Sequence, residues 1–198
     1  FHVRLAAAVV VGGLSVGAGA SGAAAQDPMS WGEFQAIERA EADIRMAWGP
    51  SDEAFGEWYL PGGDGPHPVV VLVHGGCWQA IADVGYVGHL GRRLADWGWA
   101  VWTPEFRRVD QEDGAWPAIL EDVGAATDYL RTSPLKARLD LSAVVVVGHS
   151  SGGHLALWLA GRHRLPEDEA EGPRLRGEDP LAIHGVIGLA AIADLEDY

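Results

Sequence analysis

Two uninterrupted apolar runs constrain the fold of this chain more than any other feature of its sequence. VVVLV spans residues 69–73 and VVVV spans residues 144–147, and each run ends within two residues of a glycine. Continuous β-branched residues without polar alternation predict strands that are buried on both faces. Further strands and segments with helical spacing alternate with these runs. The other predicted strands are 55–61, 99–106 and 183–195, and the predicted helices are 86–98, 115–133 and 151–163.

This alternation predicts an α/β fold, with a mostly parallel sheet and helices on both of its faces. Residues 55–198 are interpreted as one domain, and residues 26–54 as a polar leader that forms a short helix or a linker. In the first long helix, the spacing places Val87, Leu90, Leu94 and Trp97 on the buried face. The charged segment 164–180 is predicted to be a surface loop.

The first 25 residues have the pattern of a signal peptide. Arg4 precedes a glycine-rich apolar run, and Ala23 and Ala25 form an A-x-A site. This pattern predicts cleavage before Gln26 and export to the periplasm or the medium, with no membrane contact after cleavage. An uncleaved membrane anchor is the weaker alternative.

Composition excludes several classes of partner and site. The formal net charge of −14 repels phosphate backbones, so the sequence predicts no nucleic-acid partner. Cys77 is the one cysteine of the sequence, which excludes an intrachain disulfide and a thiolate zinc site. We find no metal-ligand spacing and no phosphate-binding loop, and therefore expect neither a metal nor another cofactor. The sequence does not indicate an oligomeric state.

The chain contains two matches to G-x-S-x-G, at residues 13–17 and 148–152. The first lies in the predicted signal peptide. The second follows a buried strand and precedes a helix, which is the context of a nucleophile elbow. Gly148 and Gly152 remove side chains that would clash at such a turn, and Ser150 is the predicted nucleophile. The amide of Ser151, at the start of the helix, is placed to bind a developing oxyanion.

A second glycine motif, HGGCW at residues 74–78, follows the first valine strand. Glycines let a backbone approach a substrate oxygen and present its N–H groups, so this loop is the predicted second half of an oxyanion hole. His74 and His149 belong to the two motifs. We interpret both as residues that hold loop geometry by hydrogen bonding rather than as bases.

The segments VVVLVHGGCW, GWAVWTPEFRR and VVVVGHSSGGHLALWLAG resemble the α/β-hydrolase fold. They are most similar to the secreted esterase and kynurenine-formamidase-like group, which carries H-G-G-x-W and G-H-S-x-G-G. The resemblance covers residues 50–195 and implies that Ser150 is the nucleophile. It further implies that the amides of Gly76, Cys77 and Ser151 form the oxyanion hole, and that Gly75 shapes the loop.

The expected activity is that of a serine hydrolase that cleaves a small acyl ester through an acyl-enzyme on Ser150. A formamidase or amidase, and a peptidase of the prolyl-oligopeptidase type, are the alternatives within enzymes. The peptidase is disfavoured because about 50 residues precede the sheet, too few for a propeller domain. A non-catalytic binding protein with a hydrolase fold is the alternative of another class.

The two motifs do not contain the acid and the base of a serine–histidine–acid catalytic triad. In this fold the order is serine, acid, histidine, and no histidine follows Asp194. His154 lies on the nucleophile helix, His163 is interpreted as the cap of that helix, and His184 begins a strand. We therefore expect the fold to be incomplete at the carboxyl terminus, with the acid and the base in sequence beyond residue 198 and a sheet that ends in an exposed edge.

Overall fold

The computed structural model describes residues 29–166 and 172–196. The predicted signal peptide lies outside these residues. Residues Phe1–Ile37 and Glu38–Tyr198 form two compact units. In the described part of the first unit, helix α1 (Trp31–Gln35) begins with a capping box, in which Ser30 and Glu33 bond to each other's backbone amides. No helix in the described ranges is long and apolar enough to cross a membrane.

The second unit is built on a six-stranded mixed sheet with strand order β1-β2-β4-β3-β5-β6. β1 and β2 are antiparallel to their neighbours, whereas β4, β3, β5 and β6 are mutually parallel. The strands are β1 (Ile44–Ala47), β2 (Phe55–Tyr59), β3 (His67–Val73), β4 (Ala100–Pro104), β5 (Leu139–His149) and β6 (Gly185–Leu189). The helices of this unit are α2 (Gly88–Asp96), α3 (Ala118–Asp128), α4 (Ser151–Gly161) and α5 (Gly172–Arg176).

Helices cover both faces of the sheet. Successive residues of β3 point to opposite sides, where Val71 joins the core under α3 and α4 while Leu72 joins the core under α2. All residues from Val69 to Val73 are at most 3% exposed. These contacts confirm the α/β fold with a mostly parallel, doubly covered sheet that the valine runs predict.

The structure corrects several sequence interpretations. The segment 26–54, read as a short helix or a linker, contains the short helix α1 and also strand β1, which pairs with β2 in the sheet of the second unit. Trp97, placed on the buried face, is 69% exposed because α2 ends at Asp96. The predicted loop 164–180 contains the one-turn helix α5, whose Leu175 is buried. β6 begins at residue 185, so His184 precedes the strand.

Strand β6 lies at one edge of the sheet. It pairs with β5, and its apolar side chains Val186, Ile187 and Leu189 are 37–50% exposed. An apolar strand with a free edge is a template for pairing with further chain. The exposed edge agrees with the expectation from the sequence.

Candidate active site

Ser150 occupies the sharp turn between β5 and α4. Its backbone angles are φ 54° and ψ −122°, a left-handed region that a residue with a side chain rarely adopts. Backbone hydrogen bonds on both sides of Ser150 hold the turn. The Ser150 amide donates to the Leu189 carbonyl over 2.9 Å, and the Gly153 amide donates to the Ser150 carbonyl over 2.8 Å. The strained conformation is the one that a nucleophile elbow requires.

The glycines of both motifs allow close backbone packing around this turn. A Cβ on Gly148 would lie 2.0 Å from the Gly152 carbonyl oxygen, and a Cβ on Gly152 would lie 2.3 Å from the His74 carbonyl oxygen. A Cβ on Gly75 would come within 3.2 Å of the Ser150 Cβ. The structure therefore brings the H-G-G loop and the elbow into direct contact, although they are more than 70 residues apart in sequence.

The loop after β3 has an unusual backbone. Gly76, Cys77 and Trp78 have positive φ angles of 116°, 53° and 58° in succession. Three successive residues with positive φ turn the chain tightly at this point. The Trp78 amide donates to the Ser151 hydroxyl over 3.3 Å and ties the loop to the start of α4. The residues predicted to form the oxyanion hole thus lie on two adjoining turns, and sequence reasoning missed the Trp78–Ser151 contact between them.

Below the loop lies a buried ionic cluster, formed by His74, Glu105 and Arg108. Their exposed fractions are 1%, 2% and 8%. His74 Nε2 lies 3.0 Å from Glu105 Oε1, and the Arg108 guanidinium donates to the same carboxylate. Burial alone would raise the pKa of Glu105, but the hydrogen bond and charge of His74, the Arg108 charge and the Phe106 amide together hold that pKa below its ordinary value.

His149 and Tyr86 form a polar contact beside the elbow. The Tyr86 hydroxyl lies 2.8 Å from His149 Nδ1, and the two ring centroids are 5.5 Å apart. Burial, followed by the neighbouring Cys77, raises the pKa of the Tyr86 hydroxyl. The His149 ring is thus hydrogen-bonded to Tyr86.

The histidine nearest to Ser150 along α4 also contacts the loop. His154 packs its ring edge-on against Trp78, at a centroid distance of 5.7 Å, and burial lowers its pKa. His163 does not cap the helix as predicted. It is exposed in the turn after α4, where its Nε2 lies 3.3 Å from Arg164 Nε.

The later polar residues have other partners as well. The His184 amide donates to the Val144 carbonyl, and the Asp194 carboxylate accepts from the Glu196 amide. Asp122 pairs with Arg107 through two guanidinium contacts of 2.6 and 2.8 Å. Across residues 29–166 and 172–196, no histidine or carboxylate hydrogen-bonds the Ser150 hydroxyl. The same residues contain no group of three or more ligands arranged for a metal ion.

The comparison with family models identifies the chain. Residues 57–198, most of its length, match the model BD-FAE. The chain belongs to the BD-FAE family. A comparison with curated protein sequences finds no match for this BD-FAE protein.

Solved structures show the same fold. The butyrate-bound esterase Est2 of the Planctomycetes species Thermogutta terrifontis has a TM-score of 0.62 and 19% identity, over 75% of the BD-FAE chain and 53% of its own. An inhibited esterase B from Lactobacillus rhamnosis has a TM-score of 0.65 and 23% identity, over 81% and 53%. The α/β-hydrolase fold is therefore shown, and the BD-FAE chain spans about half the length of each esterase.

Proposed function

We propose that this chain carries the nucleophile and the oxyanion hole of a serine carboxylesterase that cleaves small acyl esters. The observation that carries the proposal is the left-handed Ser150 turn, packed against the glycine loop of residues 74–78. A strained serine at the start of a helix, beside a loop of left-handed residues, supports nucleophilic attack on a carbonyl. The BD-FAE match and two esterases of the same fold agree with this assignment.

The proposed reaction has two halves. Ser150 Oγ bonds to the acyl carbon while a base removes its proton, and the carbonyl oxygen becomes an oxyanion held by the amides of Gly76, Cys77 and Ser151. The oxyanion re-forms the carbonyl, the bond to the alcohol breaks, and the proton passes to the leaving alkoxide. Water then attacks the acyl-serine with the same base, which releases the acid and restores the hydroxyl.

The base and its carboxylate partner are proposed to lie beyond residue 198. This proposal is supported by the length of the esterases, of which this chain covers 53%. It is also supported by the described histidines, whose hydrogen bonds go to groups other than the Ser150 hydroxyl. A serine hydroxyl at neutral pH is a weak nucleophile without such a base.

The nucleophile is tested with a fluorophosphonate probe on the full-length protein. We expect covalent labelling that disappears in Ser150→Ala and persists in the control Ser142→Ala, since Ser142 is exposed near the start of β5 and bonds to Asp140. Labelling that survives Ser150→Ala contradicts the assignment. Absence of labelling in the wild type, despite a folded protein, favours the non-catalytic binding alternative.

Substrate class is tested with matched acyl compounds. Turnover of short-chain p-nitrophenyl esters at least roughly tenfold faster than of N-formyl aromatic amines and of prolyl peptides supports the esterase. The reverse order supports the amidase or peptidase alternative, because the same elbow and oxyanion hole serve all three reactions.

Export is a separate part of the proposal. We propose that residues 1–25 direct the protein to the periplasm or the medium, on the strength of Arg4 and the A-x-A site at residues 23–25. Expression of the natural gene in a bacterial host and sequencing of the mature amino terminus tests this. A mature chain that begins at Gln26 outside the cytoplasm supports it, and a cytoplasmic chain that retains Arg4 refutes it.

A further inference from the structure

Both ring nitrogens of His74 face hydrogen-bond acceptors. Nε2 lies 3.0 Å from Glu105 Oε1, and Nδ1 lies 2.8 Å from the Gly75 carbonyl oxygen. A neutral imidazole has one N–H and one lone pair, so it satisfies just one of two such acceptors. The lone pair of the unprotonated ring nitrogen would then face the other acceptor oxygen. Both acceptors are satisfied when each ring nitrogen donates a hydrogen bond.

Glu105 is built to stay ionised opposite this ring. Its carboxylate oxygens accept from His74, from the Arg108 guanidinium, and from the amides of Phe106 and Val84. A protonated carboxyl would forfeit several of these bonds and would itself need an acceptor. The His74 ring also stacks on Phe106, with centroids 4.4 Å apart and planes 10° apart, which fixes its orientation. Glu105 and Arg108 are thus the charged groups that face the His74 ring within the described residues.

The Gly75 carbonyl links this cluster to the oxyanion loop. The carbonyl of Gly75 and the amide of Gly76 belong to one planar peptide group, and this peptide is not among the cis bonds of the described residues. In a trans peptide the C=O and N–H bonds point in opposite directions. When His74 holds the Gly75 oxygen, it therefore directs the Gly76 N–H away from the cluster and fixes the direction in which that amide donates.

This inference rests on the proposed esterase function. We propose that Glu105 is a positioning residue, which keeps both His74 nitrogens donating and through the Gly75 carbonyl orients the Gly76 amide of the oxyanion hole. Loss of the Glu105 carboxylate removes the anionic acceptor at His74 Nε2, and the ring is then no longer held between residue 105 and the Gly75 carbonyl. The Gly75–Gly76 peptide is then free to rotate, which is permitted at a glycine with a φ of 116°.

The kinetic test uses Glu105→Gln in the full-length protein, with Asp128→Asn as the matched control. Asp128 also pairs with a buried arginine, Arg162, but it bridges α3 and the end of α4, and its side-chain hydrogen bonds among the described residues go to Arg162 and the Leu181 amide rather than to the loop. We expect kcat for a short-chain ester to fall at least roughly tenfold in Glu105→Gln with KM nearly unchanged, because an oxyanion hole acts on the transition state. An unchanged kcat, an equal loss in Asp128→Asn, or an effect on KM alone overturns the proposal.

Two measurements separate this proposal from the esterase proposal. Nitrogen-15 NMR of the wild-type histidine side chains at the assay pH reports the protons on His74, and a ring with one protonated nitrogen overturns the proposal whether or not the protein hydrolyses esters. Hydrogen exchange of the Gly76 amide is expected to accelerate in Glu105→Gln and not in Asp128→Asn, and equal rates overturn it. If Glu105→Gln does not fold, the wild-type NMR result decides.

Discussion

Substitution of Gly152 by alanine tests whether the Ser150 turn and the loop of residues 74–78 depend on backbone contact. A Cβ at this position would lie 2.3 Å from the His74 oxygen and 2.4 Å from the Val73 oxygen, whereas ordinary contact begins at 3.4 Å. Helix α4 and the end of β3 must separate by about 1 Å to admit it. Because both obstacles are backbone carbonyls, which cannot swing aside, we expect a destabilisation of about 3 kcal/mol, the upper range for overpacking.

Gly161→Ala is the matched control. Gly161 ends the same helix, and a Cβ there meets nothing within 4 Å. Alanine is the better helix former by up to about 1 kcal/mol, so this variant should be as stable as the wild type or slightly more stable. The two alanine variants should therefore differ by at least about 3 kcal/mol in the free energy of unfolding, measured by urea denaturation of the full-length protein.

The same displacement should slow the chemistry. A shift of about 1 Å between a nucleophile and its partner groups costs about a hundredfold in rate, so fluorophosphonate labelling of Ser150 should slow by that factor in Gly152→Ala and remain unchanged in Gly161→Ala. Equal urea midpoints for the two variants, or labelling of Gly152→Ala at the wild-type rate, would show that the contact between the elbow and the loop does not fix their positions.

Three further substitutions test other parts of the structure. Ser150→Gly should be more stable than Ser150→Ala by about 1 kcal/mol in thermal unfolding, because glycine relieves the strain at φ 54°, and the opposite order would contradict that strain. Asp122→Asn should lower the free energy of unfolding, measured with urea, by about 2 kcal/mol. This loss is smaller than that expected for breaking a fully buried ion pair, because the Arg107 side chain is 26% exposed. An unchanged urea midpoint would contradict this prediction. Because the pKa of Glu105 is lower in the folded protein than in the unfolded chain, where it is about 4.5, the Glu105 carboxylate stabilises the fold above that pH. This stabilisation is lost as the pH falls through the folded-state pKa of Glu105. Glu105→Gln should therefore flatten the decline of stability below pH 4.5, and an unaltered acid limb would refute the linkage.

The central strands were predictable because their signal is local and strong. The valine runs predict β3 and β5 without reference to any other part of the chain, since few structures bury four successive β-branched residues. Strand β1 was missed because it has four residues, Ile44–Ala47, of which every second side chain is only partly buried. Its sequence therefore resembles that of a polar leader. Helix α5 was missed for a related reason, because its one turn buries Leu175 amid a charged segment.

The elbow was predictable in the same way, because the glycines around Ser150 indicate a tight turn that leaves no room for side chains. The ionic cluster was not, because His74 and Glu105 lie 31 residues apart and meet through the order of the strands. One signal was available in the sequence. Glu105 directly follows a buried strand in TPEFRR, at the end of the sheet where side chains from neighbouring parallel strands converge.

Strand order explains why one loop receives support from two sides. β3 lies between β4 and β5 and runs parallel to both, so the segments that follow these three strands meet at one edge of the sheet. Glu105, after β4, holds the loop of residues 74–78 through His74, and Gly152, after β5, packs directly against the His74 carbonyl. The loop is thus fixed by a hydrogen bond from one neighbour and by steric contact from the other. A loop held in this way keeps its backbone in one conformation, which is the property that the proposed oxyanion hole requires.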